Sequence, residues 1–137
     1  TDYKFDLEKF TNVNGKTGIY IQYANVRAKK LIKDSSLEVT DFSILSEELD
    51  KNDKSLLRSF IKFEFYFEQT IKNNEPHHLA DYLYEISQKF NGMYQGINIL
   101  ENENIVLKEN KLKIAYIFLQ YSNLLMECLG ILPAEKM

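Results

Sequence analysis

The sequence holds one cysteine, two prolines and five glycines among 137 residues. A lone Cys128 excludes a disulfide framework and a cysteine-based metal site, and fits a reducing compartment, the cytoplasm. Because it sits in an apolar helical pattern, Cys128 is expected to be a small buried hydrophobe and a poor nucleophile. No uninterrupted apolar run reaches about 18 residues, so no membrane-spanning helix is expected. The opening Thr1, Asp2, Tyr3 and Lys4 lack the basic-then-apolar order of a signal peptide. A start on Thr1 is read as that of a fragment of a longer protein. Positive charge is lacking as well. A net charge of −3 argues against coating nucleic acid through bulk electrostatics, which needs many Lys and Arg contacts to phosphate. Any RNA site must be local.

The sequence is equally poor in catalytic groups. It offers no nucleophile with its base, no paired carboxylates in a cleft and no phosphate-cradling glycine loop. Gly15-Lys16-Thr17 resembles the end of such a loop, but Phe10 stands where its first glycine belongs. His77 and His78 are neighbours, so on a helix they should point about 100° apart and fail to clamp one metal. They are expected to be structural or solvent-exposed, the alternative being a contact to phosphate or to a neighbouring side chain. Glu47, Glu48, Asp50 and Asp53 read as a solvated connector. No catalytic residue and no metal ligand is expected.

What is present is helical periodicity. Hydrophobic residues make up 45% and charged residues 27%, enough apolar content for one self-sufficient core. Apolar residues recur at spacings of three and four nearly throughout, which predicts an all-α bundle of about five helices forming a single domain over residues 1–137. The first helix should follow Asn14-Gly15-Lys16-Thr17-Gly18, with Thr17 as N-cap, and run to about Lys33. The connector with Leu37, Val39, Phe42, Ile44 and Leu45 has room for a short helical piece. Asn52-Asp53 offers a cap for a second helix whose Leu56, Phe60, Phe63, Phe67 and Ile71 should face the core. Asn73-Asn74 closes it, and Pro76 suits the first turn of the next. Leu79, Leu83, Ile86, Phe90 and Ile97 continue that next helix. After a loop at 101–104, a long central helix is predicted from about Asn110 to Leu129, ended by Gly130, with the tail folding back over the bundle.

On the first helix Tyr20, Tyr23 and Arg27 stand at i, i+3 and i+7, which gathers two phenol rings and a guanidinium on one stripe. Unpaired bases stack on such rings while cations hold phosphate, and Lys16, Lys29, Lys30 and Lys33 make this the most basic stretch. The same tyrosines would equally serve as core residues whose hydroxyls reach a partner.

These residues lie in a longer pattern. Gly15-Lys16-Thr17-Gly18-Ile19-Tyr20-Ile21-Gln22-Tyr23-Ala24-Asn25-Val26-Arg27 resembles the block that opens the C-terminal anticodon-binding (DALR-type) domain of arginyl-tRNA synthetases. Glu75-Pro76-His77-His78-Leu79-Ala80-Asp81-Tyr82-Leu83-Tyr84, Phe90-Asn91-Gly92-Met93-Tyr94 and Leu129-Gly130-Ile131-Leu132-Pro133-Ala134-Glu135-Lys136-Met137 resemble that family's later blocks, in the same order. Ile19, Asn25 and His78 depart from the family's usual proline, histidine and arginine or lysine.

The resemblance implies a helical bundle that grips the anticodon stem-loop of an arginine tRNA without doing chemistry. Tyr20, Tyr23, Tyr94 and Met137 would line one pocket, and Arg27 would meet a phosphate or form a buried structural pair. Asn25 and Asn98, the latter one helical turn beyond Tyr94, are further expected contacts. No cofactor is expected in this chain. ATP would be used by the catalytic domain of the parent arginine-tRNA ligase, which would be this chain's other partner, and no membrane is implied. The alternatives are a helical protein-interaction module and the related bundle of another class I synthetase.

Overall fold

The computed structural model describes residues 15–35, 43–44, 47–95 and 98–137, the side chains from residue 18 onward. Five helices occupy most of this: α1 (Gly15–Ser35), α2 (Lys51–Ile61), α3 (Phe63–Asn73), α4 (His77–Tyr94) and α5 (Ile105–Cys128). The expected all-α bundle is what forms, with α2 and α3 nearly continuous across Lys62. The suggested helical piece between residues 37 and 45 falls largely outside the described residues.

α1 buries Ile21, Ala24, Ala28 and Leu31, a stripe at helical spacing whose two alanines let its backbone approach α5 closely. α4 contributes Leu83, Ile86 and Phe90 to the same core, and α5 contributes Leu112, Ile114, Ala115, Phe118 and Leu125. Phe90 and Phe118 stack with centroids 4.4 Å apart and planes 3° from parallel. Fully burying one such ring contributes about 1.5–3 kcal/mol, so this pair is the centre of the α4–α5 contact.

Several boundaries differ from those expected. α1 begins at Gly15, which puts Thr17 inside its first turn and removes it as a cap. α5 begins at Ile105, because Asn104 accepts a hydrogen bond from the Leu107 N–H and caps the helix a full turn early. Its end is as expected. Gly130 adopts φ 74°, and the amides of Ile131 and Gly130 donate to the carbonyls of Met126 and Glu127, a Schellman turn that reverses the chain. α4 stops at Tyr94, where Gln95 leaves helical dihedrals. Ile97, expected to continue that helix, lies outside the described residues.

The cap of α2 is Asp50 rather than Asn52 or Asp53. Asp50 and Asp53 exchange backbone and side-chain hydrogen bonds in a capping box. Asp53 is fully buried and, with Asp50, receives the Lys111 ammonium at 2.8 and 3.1 Å. These two carboxylates are thus the anchor of α2 on α5 and not a solvated connector. Burial works to raise the Asp50 carboxyl, but hydrogen bonds from the Asp53 backbone and from Lys111 prevail and hold it below its ordinary value. On α3, by contrast, no residue is fully buried, and Phe65 and Ile71 are exposed, so the stripe expected to face the core ends with the half-buried Phe63 and Phe67. Tyr82 closes the α2–α4 contact by donating to the Ser59 carbonyl at 2.6 Å, and burial pushes its phenol well above the usual range. Cys128 is exposed, since its neighbours Met126 and Leu129 take the inward directions.

Candidate nucleic-acid interface

The stripe on α1 splits once it is folded. Tyr23 keeps 42% of its surface exposed. Tyr20 is half-buried and meets the edge of Tyr84 at 5.8 Å. One turn after Tyr23, Arg27 lays its guanidinium over the Tyr23 ring at 4.1 Å and over the Tyr94 ring of α4 at 5.0 Å. Its Nη2 donates to the Tyr23 hydroxyl at 2.9 Å and its Nη1 to Asn91 Oδ1 at 3.0 Å. The result is a cation held between two aromatic rings from two helices, with one ring open to solvent. Such a platform offers flat faces for stacking and a cation whose planar fork suits phosphate or a base edge.

Of the two roles open to Arg27, the structural pair takes the form of contacts to Tyr23 and Asn91. Among the described residues Arg27 has no carboxylate partner, yet two hydrogen bonds already fix its orientation. Asn91 is the residue that sequence reasoning missed. It is 2% exposed and stands three positions before Tyr94, so the i, i+3 rule that linked Tyr20 to Tyr23 also links Asn91 to Tyr94.

The described residues have just two buried side-chain polar atoms without a hydrogen-bond partner, Asn25 Oδ1 and Asn91 Nδ2. They sit on the two helices that carry Tyr23, Arg27 and Tyr94. Orphaned polar atoms cost about 1–3 kcal/mol each and call for an explanation in a native fold.

One expected contact is corrected, and the register expected of another. Asn25 is fully buried, with its Nδ2 donating to Ser122 Oγ at 2.7 Å and to Asn123 Oδ1 at 2.9 Å. It ties α1 to α5 and cannot touch RNA from there. Asn98 is exposed, but it lies beyond the end of α4 and shares no helical face with Tyr94.

Met137 does not line the same pocket as the tyrosines. It is 61% exposed and borders a groove of about 500 Å³ with Val26, Lys29, Lys30, Lys33 and Lys136. Asp34 and Glu135 also line it, leaving the four lysines in excess over two acids. This groove occupies the face of α1 next to Tyr23. It exists because the tail is stitched back onto α1. The Gln22 amide donates to the Leu132 carbonyl and accepts from the Ala134 N–H, and Lys29 Nζ donates to the Ala134 carbonyl, each at 2.9 Å. In a chain of net charge −3 this is a local concentration of positive charge.

The histidines are partly exposed and paired with a neighbour, as expected, but they do not diverge as the helix geometry predicts. His77 is the first residue of α4, and its ring lies beside that of His78, tilted by 39° with centroids 4.2 Å apart. The two do not splay, because both turn toward the Glu75 carboxylate. Among the described residues no helix is long and apolar enough to cross a membrane.

Comparison with known proteins gives a consistent result. Residues 21–137 match the model of the DALR anticodon binding domain. The chain is 30% identical over 140 residues to the arginine-tRNA ligase of Agathobacter rectalis, covering 99% of this chain and 24% of that one. It is 32% identical over 141 residues to the arginine-tRNA ligase of Pasteurella multocida, with 100% and 24% covered. The chain therefore spans about a quarter of the length of the curated relatives it matches. Its fold is similar to part of the Thermus thermophilus arginyl-tRNA synthetase, with a TM-score of 0.76, 21% identity, and 88% of this chain and 21% of that chain covered.

Proposed function

This chain belongs to the DALR anticodon-binding domain family, and from that membership we propose that it recognises the anticodon stem-loop of an arginine tRNA as the C-terminal part of an arginine-tRNA ligase. The observation that carries the reading is the guanidinium of Arg27 held between the rings of Tyr23 and Tyr94, one helical face away from the lysine groove. Tyr23 and Tyr94 stack on bases of the loop, Arg27 meets a base edge or phosphate, and Lys29, Lys30, Lys33 and Lys136 follow the backbone past Met137. Tyr20 packs against the edge of Tyr84 and presents less of its own face.

The activity of the parent, ATP-dependent joining of arginine to its tRNA in the cytoplasm, resides outside this chain. What this chain supplies is selection. Gripping the anticodon loop positions the distant acceptor end and penalises tRNAs with other loop bases, a difference expressed in the transition state for aminoacylation. The exposed Ile61, Phe65 and Ile71 favour a protein contact on a second face, and the remaining three quarters of the proposed parent is the partner to test there first.

The deciding experiment is an NMR titration of the labelled chain with an arginine-tRNA anticodon stem-loop at low and moderate salt. Selective shifts at Tyr23, Arg27, Tyr94 and Met137 that weaken steeply with salt are expected. Equal shifts with an unrelated stem-loop, or none, would remove the anticodon reading and leave a helical protein-interaction module.

A further inference from the structure

At the opposite end of α4 from Tyr94 lies a cluster with no part in the RNA reading. Glu75, His77 and His78 each bring one donor atom to a common point, all within 4.8 Å of one another. Glu75 Oε2 is 2.7 Å from His78 Nε2 and 3.7 Å from His77 Nε2. Donors sharing a tetrahedral ion with bonds of about 2.0–2.1 Å lie about 3.3 Å from each other. The two distances to Glu75 bracket that value, and the third, between the two imidazoles, is within 4.8 Å, so side-chain rotation must draw the donors onto one ion.

The backbone beneath the cluster is fixed. Pro76 sets φ at −59°. The His78 amide donates to the Glu75 carbonyl, and the amides of Leu79 and Ala80 donate to the Pro76 carbonyl. Leu79 and Ala80 are themselves buried in the core. The three side chains therefore project from one anchored turn, and their outer faces remain accessible, with the Glu75 and His77 side chains each 45% exposed.

We propose that Glu75, His77 and His78 form a surface site for a divalent transition-metal ion of the Zn²⁺ type, bound through two imidazole nitrogens and one carboxylate oxygen with a fourth position open to water. This donor set suits borderline ions and not Mg²⁺ or Ca²⁺, which take oxygen ligands. Each imidazole ligates through an unprotonated Nε2, its remaining ring proton residing on Nδ1, so the ion takes the place of the His78–Glu75 hydrogen bond. The positive end of the α4 dipole opposes a cation at this place, and the Glu75 carboxylate offsets it. The site is about 25 Å along α4 from Tyr94, from the 18 residues of that helix at the usual rise. Metal and RNA should therefore act independently.

The test is a calorimetric titration of Zn²⁺ alone into the 137-residue protein, with the histidine ring signals followed by NMR. One equivalent should bind saturably, shift both imidazoles, leave the Tyr94 signals in place and weaken as the pH falls. Glu75→Gln and the double change His77→Gln with His78→Gln should each lower affinity at least about tenfold while melting at the parent temperature. Cys128, the other exposed soft donor, should be dispensable, with Cys128→Ser binding as the parent does. The proposal is overturned by three results: no saturable binding at one equivalent, undiminished binding in the double histidine variant, or loss of binding in Cys128→Ser.

Discussion

Replacing Arg27 by lysine separates two ways in which this residue could contribute, because the change keeps the charge and removes the plane. In the free protein Arg27 makes two hydrogen bonds, to Tyr23 and Asn91, at 2.9 and 3.0 Å, and covers two rings. Lysine has a single nitrogen in place of the planar fork and cannot reproduce both contacts in the same geometry. A hydrogen bond from a charged donor contributes about 1.5–3 kcal/mol, and a guanidinium over an exposed ring about 0.5–1 kcal/mol. Asn91 is buried and already has one orphaned amide hydrogen donor, so losing the Arg27 contact leaves its oxygen unsatisfied too. A stability loss of about 2–3 kcal/mol follows, partly offset where lysine rescues one contact. For a chain of this size that lowers the melting temperature by roughly 5–12 °C.

Binding to the anticodon stem-loop should weaken by a further 1–3 kcal/mol, or about 5- to 150-fold, because the stacking face between Tyr23 and Tyr94 is no longer held flat. Fluorescence anisotropy at several salt concentrations reads both parts. The slope of log K against log salt should stay unchanged, since the number of phosphates neutralised is the same, while every affinity drops together. Parent-like affinity in Arg27→Lys would show that Arg27 acts as a point charge, refuting the planar platform. Parent-like affinity in Arg27→Ala as well would put the RNA site elsewhere.

Three further outcomes are expected. Lys111→Met should destabilise the fold by about 3–5 kcal/mol in urea denaturation, because it strands the fully buried Asp53 carboxylate; a loss under about 1 kcal/mol would mean water reaches the pair. Asp50 has its carboxyl held below the ordinary value, so its contribution is complete above the unfolded value of about 3.9 and is lost as pH falls through the lower folded value. The urea midpoint should accordingly be flat near neutrality and decline below about pH 4, a decline that Asp50→Asn should flatten. Deleting Met137 should lower stem-loop affinity and leave the melting temperature unchanged, since its side chain is 61% exposed and the tail is anchored upstream at Leu132 and Ala134; unchanged affinity removes the tail end from the interface.

The all-α class and the placing of Tyr23 and Arg27 on one stripe of α1 were legible because they rest on periodicity, which survives folding. The division of the second predicted helix into α2 and α3 was not, and Tyr94 came from the resemblance. Lys111 was legible in principle as well. It falls on the buried stripe of Ala115, Phe118, Ser122 and Leu125, and a lysine on such a stripe requires an acid opposite it. The fate of Asn25 was hidden, because an amide on α1 looks the same in sequence whether Ser122 or solvent receives it. Exposure on α5 was hidden too. That helix is apolar nearly all round, so which of Leu124, Leu125 and Cys128 meets solvent depends on where α1 and α4 lie against it. The 100° rule misjudged the histidines because it fixes the directions of Cβ atoms, whereas rings at a helix start can still rotate toward one carboxylate.

A chain of net charge −3 is a poor candidate for RNA binding if charge alone is counted, and the arrangement of the proposed interface answers that difficulty. Ordering a long side chain on binding costs about 0.5–1.5 kcal/mol. Here Arg27 is already oriented by Asn91 and Tyr23, and Lys29 is already tied to the tail. Tyrosines have few rotatable bonds to freeze, and Tyr94 is packed against Phe90 at 6.0 Å. Much of the ordering cost is therefore met in folding rather than in binding. The tail extends the same logic, since Gln22 uses both ends of its amide to fix a segment with no secondary structure of its own. A small group of preset cations beside open rings can thus select a loop that bulk charge would not attract, which is why the platform, more than the charge total, is the feature to perturb first.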